Sequence, residues 1–156
     1  MKDDGAGTTR DILLAARNVS KSFGAVRVLH EVSFDVHRGE VLGILGPNGA
    51  GKTTLFNMIS GDLTTSGGDI RLGDILLKGE PPFKRCHMGI GRTYQIPLPY
   101  SGMTTFENLL VAAAFGGGRS EADSYDVCAA ILRDCELADK ANTQAGSLTL
   151  LDRKRL

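Results

Sequence analysis

Little in this sequence ties the chain to a strongly charged partner, an oxidising compartment or a bilayer. Eighteen Lys and Arg balance eighteen Asp and Glu, so no overall field draws it to nucleic acid or an anionic membrane. Cys86, Cys128 and Cys135 are odd in number and lack C-x-x-C spacing. They read as reduced thiols of the cytoplasm, not as a disulfide framework or a zinc site. Residues 1–11 hold no apolar segment of the signal-peptide kind and read as a loose, flexible tail. The longest apolar run, residues 109–115, falls far below the ~20 residues that span a bilayer, so any membrane role passes through a partner. His30, His37 and His87 are scattered and cluster with no carboxylate or cysteine. The length of 156 residues suits one domain, and a domain near that size buries roughly 68–70% of its unfolded surface.

What is present is the stretch Gly46-Pro47-Asn48-Gly49-Ala50-Gly51-Lys52-Thr53-Thr54. It fits G-x-x-x-x-G-K-[ST], the phosphate-binding loop. Before it stands an apolar run of strand length, residues 40–45, and after it Leu55, Phe56, Met58 and Ile59 follow helical spacing up to Gly61. Strand, glycine loop and helix make up the context that the motif requires. A triphosphate must be wrapped by backbone N–H groups at contact distance. Gly46, Gly49 and Gly51 lack a Cβ and tolerate positive φ, so the backbone around them and Asn48 can close in. The helix behind the loop adds free N–H groups and a partial charge of about +0.5. Lys52 is expected to reach the β- and γ-phosphates of ATP, the Thr53 hydroxyl to ligate Mg²⁺, and Thr54 with backbone amides to hold the α- and β-phosphates.

Upstream, residues 12–16, 26–29 and 32–36 read as short strands of a small antiparallel sheet, with Lys21-Ser22-Phe23-Gly24 as a turn. Phe23 in that turn is either an exposed ring able to stack on a purine or an ordinary core aromatic. Downstream, residues 69–72 and 75–77 suggest a hairpin through Gly73-Asp74. Pro81-Pro82 opens a short helix over 83–87, and residues 89–95 read as a strand ending at Gln95, stopped by Pro97 and Pro99. Thr105 is expected to cap a helix that ends at Gly116-Gly117-Gly118. Ser120 to Asp123 resembles a capping box for the next helix, whose Tyr125, Cys128, Ala129, Leu132 and Cys135 share one face. Thr149 to Asp152 has the same form before the basic cluster Arg153-Lys154-Arg155, which reads as the solvated side of a last helix.

Taken together, several separated segments resemble the first two thirds of an ABC-transporter ATPase subunit: Phe23, the glycine loop, Arg92-Thr93-Tyr94-Gln95, Met103 to Leu109, and Ser147-Leu148-Thr149 before a basic helix. The resemblance covers residues 18–156. The R-T-Y-Q and T-x-x-E-N-L segments look most like the ATPases of branched-chain amino acid importers. The resemblance implies an α/β fold, a phosphate-loop NTPase core with a small antiparallel β subdomain (residues 12–95), a helical subdomain (96–147) and the start of the signature helix (148–156). It implies that Phe23 stacks on adenine. Gln95 would meet Mg²⁺ and the attacking water, and otherwise reads as a strand-end polar residue. Residues 96–105 would face transmembrane permease subunits, which would hold the cytoplasmic protein at the inner face of the plasma membrane, and a second ATPase subunit would complete the ATP site.

Leu148-Thr149-Leu150-Leu151-Asp152 falls where the family carries L-S-G-G-Q. Leu150 and Leu151 replace glycines that let backbone N–H groups approach the γ-phosphate of the opposite subunit, and Asp152 places a carboxylate near that anion. Either the site completed in trans is weak, or the leucines anchor the helix locally and the site tolerates them. The family also continues into an apolar strand ending in Asp, the Walker B strand, then a catalytic Glu and a switch His. Downstream of Lys52 no four-residue apolar run ends in Asp-Glu. In the family's strand order two further strands separate the loop strand from the one ending at Gln95, leaving roughly 14 Å between them at about 4.8 Å per strand. The polypeptide is thus expected to be cut short before the Walker B strand, to expose apolar sheet edges and to hydrolyse ATP slowly or not at all. The alternatives are a nucleotide-binding fragment or pseudogene product without turnover, and a non-transport ABC ATPase.

Overall fold

The computed structural model describes residues 11–156, so the tail expected over residues 1–11 lies outside the described residues except for Asp11. The chain divides into two compact units, one ending at Arg85 and the other running Cys86–Leu156.

In the first unit, β1 (Ile12–Phe23) and β2 (Val26–His37) form a long antiparallel hairpin turned at Gly24-Ala25. β3 (Gly67–Leu72) pairs with the other edge of β1, and β4 (Ile75–Leu76) pairs with β3, giving the order β2-β1-β3-β4. Two long strands thus replace the three short ones expected, and Lys21, Ser22 and Phe23 belong to β1 rather than to a turn. The physical reason is a pair of irregularities that break the alternation of apolar residues. Asn18 and Glu31 both take left-handed backbone, with φ of 49° and 48°. Side chains keep the strands joined there: the Asn18 N–H donates to Ser33 Oγ at 2.8 Å and the Glu31 N–H to Ser20 Oγ at 2.9 Å.

Ala16, Val19, Leu29 and Ile70 from the sheet are buried, as are Leu77 and, on helix α1 (Lys52–Ser60), Leu55 and Met58. Helix α1 stops at Gly61, whose φ is 92° and whose N–H bonds the Asn57 carbonyl, as the spacing suggests. Its last carbonyls find an unusual partner. Arg85, on helix α2 (Pro82–His87), is buried and donates through Nη1 to the Met58 and Ile59 carbonyls at 2.6 and 3.0 Å. Its other nitrogens donate to the Leu77 and Glu80 carbonyls. Burial pushes the guanidinium below its ordinary value, with the charges of Glu80 and Asp62 acting the other way.

Residues 41–47 form no strand, which corrects the expectation for 40–45. Among the described residues no strand pairs with them, and Val41 and Leu45 are 97% and 95% exposed.

In the second unit, residues 90–100 likewise form no strand and Gln95 sits in a bend. Helix α3 (Thr105–Val111) is capped by Thr104, one residue before the expected Thr105. The Glu107 carboxylate accepts from the Thr104 N–H at 2.7 Å while Thr104 Oγ1 accepts from the Glu107 N–H, so the pair forms a full capping box. Thr105 is instead drawn inside, where its hydroxyl and its N–H both donate to the Thr143 carbonyl. The helix runs on as one π-helical turn, Ala112–Gly116. Helix α4 (Glu121–Asp134) is capped by Ser120 and buries Ser124, Cys128 and Leu132. Tyr125 stays half exposed, its ring centroid 5.3 Å from that of Phe106. Helix α5 (Leu150–Arg155) is capped by Thr149. Here the Asp152 side chain is only 7% exposed, bonded to Lys140 Nζ at 2.8 Å and to the Thr149 hydroxyl at 2.7 Å. The carboxylate is thus held within its own unit by Lys140 and Thr149.

Two outcomes test this packing. At Gly68 (φ 72°) a Cβ would fall 2.3 Å from the Asn18 carbonyl oxygen, whereas at Gly73 (φ 54°) it would meet nothing within 4 Å. Gly68→Ala is expected to lower the unfolding free energy by about 3 kcal/mol and Gly73→Ala by about 1 kcal/mol, read by urea denaturation. The second concerns acid. The bond from Lys140, then that from Thr149, holds Asp152 below the ordinary carboxylate range, against the opposing effect of burial. A carboxyl depressed in the folded state stabilises fully above its unfolded value near 3.8 and loses that contribution as pH falls through the folded value. The thermal midpoint of Asp152→Asn should therefore lie below that of the parent at pH 7, and the difference should close as the pH drops below about 4.

Candidate nucleotide-binding site

The glycine loop connects the unpaired residues 41–47 to α1, and two of its three glycines are left-handed. Gly49 has φ 84° with open space around it, so its backbone conformation alone selects glycine. Gly51, the N-cap of α1, has φ 86°, and a Cβ there would lie 2.8 Å from Leu29 Cδ2 and 3.1 Å from the Val28 carbonyl oxygen. Conformation and space both require glycine at that point. Gly46 differs from the expectation: it is not among the positive-φ glycines, and a Cβ there would meet the Ala50 methyl at 3.2 Å.

Lys52 folds back over the loop. Its Nζ donates to the Gly46 and Pro47 carbonyls at 2.6 and 2.8 Å, tying the first helical residue to the start of the loop. The Ala50 N–H bonds the Pro47 carbonyl, and the first bond of the helix runs from the Leu55 N–H to the Gly51 carbonyl. No side chain caps α1 and no acidic residue stands in its first turn. Its leading N–H groups therefore face outward without a local acceptor or a repelling carboxylate. Asn48 and Thr53 are exposed, and Thr54 is half buried. Such a loop-to-helix corner is chemically an anion cradle. Its positive end comes from backbone amides and one ammonium.

Phe23 is the last residue of β1, 47% exposed. It pairs with Val26 at the closed end of the hairpin, and Val28, pressed against Gly51, lies two residues further along β2. That is about 7 Å along the strand. The same unit therefore holds the ring and the loop, joined through β2. Lys21, which sequence reading assigns to a turn, lies with its Nζ 5.1 Å from the centroid of the Phe23 ring. The signal that would have exposed it is the i, i+2 spacing of a strand, hidden by the turn-like Ser22 and Gly24.

Gln95 belongs to the second unit, exposed in its bend. Its neighbours Tyr94 and Pro97 line a groove of about 570 Å³, with Leu98, Leu109 and Arg153 among the other walls. The Arg92 guanidinium covers the Tyr94 ring at 4.4 Å. Among the described residues no group of three or more His, Cys, Asp or Glu side chains is placed to hold a metal. None of their helices is long and apolar enough to cross a membrane.

The chain is similar to known proteins in sequence and fold. The sequence pattern of the family described as ABC transporter matches residues 29–155. The high-affinity branched-chain amino acid transport ATP-binding protein LivG of Salmonella typhimurium is 35% identical over 92% of this chain and 62% of its own length. The corresponding BraF of Pseudomonas aeruginosa is 34% identical over the same shares. Among solved structures, an ATP-binding subunit of an ABC transporter superposes with a TM-score of 0.78 at 28% identity, over 92% of this chain and 59% of that one. An ATP-binding cassette in its ADP conformation gives 0.69 at 31% identity, over 93% and 64%. The chain thus spans about three fifths of the length of these relatives. The glycine loop and the five α-helices of the described residues fall within the matched residues, and the chain belongs to the ABC transporter family, similar to the ATP-binding proteins of branched-chain amino acid transport.

Proposed function

We propose that this chain is the ATP-binding portion of an importer ATPase of the branched-chain amino acid type. The observation that carries the proposal is the glycine corner itself: left-handed Gly49 and Gly51, Lys52 folded over the loop, and a nine-residue helix whose first turn holds no acid. In this reading Gly46, Asn48, Gly49 and Gly51 present backbone to the phosphates. Lys52 exchanges its carbonyl partners for the β- and γ-oxygens, and Thr54 assists at the α- and β-phosphates. The exposed Thr53 hydroxyl suits Mg²⁺, which keeps most of its shell as water and phosphate oxygen and needs few protein ligands. Phe23 offers a half-exposed ring to the base. Gln95 is assigned to the metal and the attacking water.

The domain reading that goes with this is a β subdomain and phosphate-loop core over residues 12–95, a helical subdomain over 96–147 and the opening of the signature helix over 148–156. The partners are a second ATPase subunit and permease subunits, which would hold the protein at the cytoplasmic face of the plasma membrane. The role of LivG and BraF in branched-chain amino acid transport supports the transporter type. A second reading, nucleotide binding without turnover by this chain alone, is favoured by one feature of the sequence: no apolar run after Lys52 ends in Asp-Glu to supply a general base.

A fluorescent ATP analogue titrated into the chain with Mg²⁺ tests both. Lys52→Ala is expected to weaken binding at least about ten-fold, since a charge-assisted contact is worth about 1.5–3 kcal/mol. Unchanged affinity would refute the phosphate cradle. Phosphate release by the chain alone, sensitive to Lys52→Ala, would overturn the second reading.

A further inference from the structure

We infer that Lys21 is a positioning residue for base recognition: it anchors the Phe23 ring and closes one of its faces, leaving the other for a purine. The inference rests on the nucleotide reading of Phe23 and concerns a residue that reading does not use. Lys21 and Phe23 stand two apart on β1, so their side chains leave the same face of the strand. The Lys21 Nζ lies over the ring, 5.1 Å from its centroid, and donates to the Thr64 carbonyl at 2.7 Å. A lysine held at one end by a carbonyl and at the other by an aromatic face loses the freedom of an ordinary surface lysine. The ring beneath it is correspondingly fixed.

The tether has a wider meaning because of what Thr64 belongs to. Residues 64–66 come after the end of α1, and they are stitched to β1 twice more. The Ser66 N–H donates to the Ser20 carbonyl at 2.8 Å, and the Ser22 N–H donates to Ser66 Oγ at 3.1 Å. At the other end of α1, Gly51 presses on Val28 and Leu29 of β2. The closed end of the hairpin is thus fastened near both ends of the helix that begins with the phosphate loop. Phe23 is carried by the first fastening and Lys52 by the second. Lys21 joins the ring to the first fastening, so the separation between base platform and phosphate cradle is set before a nucleotide arrives.

Binding of Mg-ATP and of inorganic tripolyphosphate to the parent chain, Lys21→Met, Lys21→Arg, Phe23→Ala and the double variant tests the idea. Lys21→Met keeps the aliphatic stem and loses the cation. It is expected to weaken ATP about two- to five-fold, the range of an exposed cation–π contact, with tripolyphosphate unchanged. Lys21→Arg should restore ATP binding, and Lys21→Met should cost nothing further once Phe23 is Ala. Equal weakening of ATP and tripolyphosphate, or no effect on either, would overturn the role. If Phe23→Ala itself leaves ATP affinity unchanged while Lys52→Ala abolishes it, the stacking platform falls and this inference with it, but the phosphate cradle stands.

Discussion

Helix α1 has to begin within van der Waals reach of β2, and only a residue without a side chain can stand at that point. Gly51 satisfies the space and the left-handed turn at once, and a methyl group there would strike both Leu29 and the Val28 carbonyl. The closeness has a purpose beyond packing. It brings the leading amides of α1 up to the sheet, so that the loop bends sharply back and Lys52 can reach across to Gly46 and Pro47. Moving the helix away by the width of one methyl would open the loop and separate the amides that make it attractive to an anion.

The far end of the same helix is managed by a different device. Its final carbonyls would normally be left to water, yet Arg85 enters from α2 and takes those of Met58 and Ile59 together with two from the intervening chain. The buried guanidinium is stabilised here by four carbonyl dipoles, by the negative end of a helix and by the nearby charges of Glu80 and Asp62. The first unit therefore gathers around α1. Glycine fits at its start, a cation at its end, and the hairpin runs alongside.

The sequence makes legible those parts whose causes are local. The glycine loop, the stop at Gly61, the turn at Gly73-Asp74 and the caps Ser120 and Thr149 each depend on residues within a few positions, and each stands where its spacing indicates. The failures share another cause. Residues 40–45 and 89–95 have strand-like composition, but a strand exists only by pairing, and among the described residues nothing pairs with them. The turn expected at Lys21 to Gly24 failed because bulges at Asn18 and Glu31 disguise a continuous hairpin as short pieces. Thr104 and Thr105 are chemically alike, and only the tertiary acceptor at Thr143 decides which one caps and which one is buried. Asp152 likewise reads as an available charge until Lys140, twelve residues away, is seen to hold it.

The π-helical turn after α3 bears on ancestry rather than on energy. Five residues, Ala112–Gly116, complete a turn in which the Gly117 N–H reaches back to the Ala112 carbonyl. One residue more than an α-helix would need has been accommodated without interrupting the helix, and each residue of such an excess rotates the downstream chain by about 100°. Phe115, within this turn, is 73% exposed. A relative one residue shorter here could keep α3 and α4 where they are by closing the turn into an α-helical one. Its helices would then superpose on these while its letters, counted straight through, fall out of step.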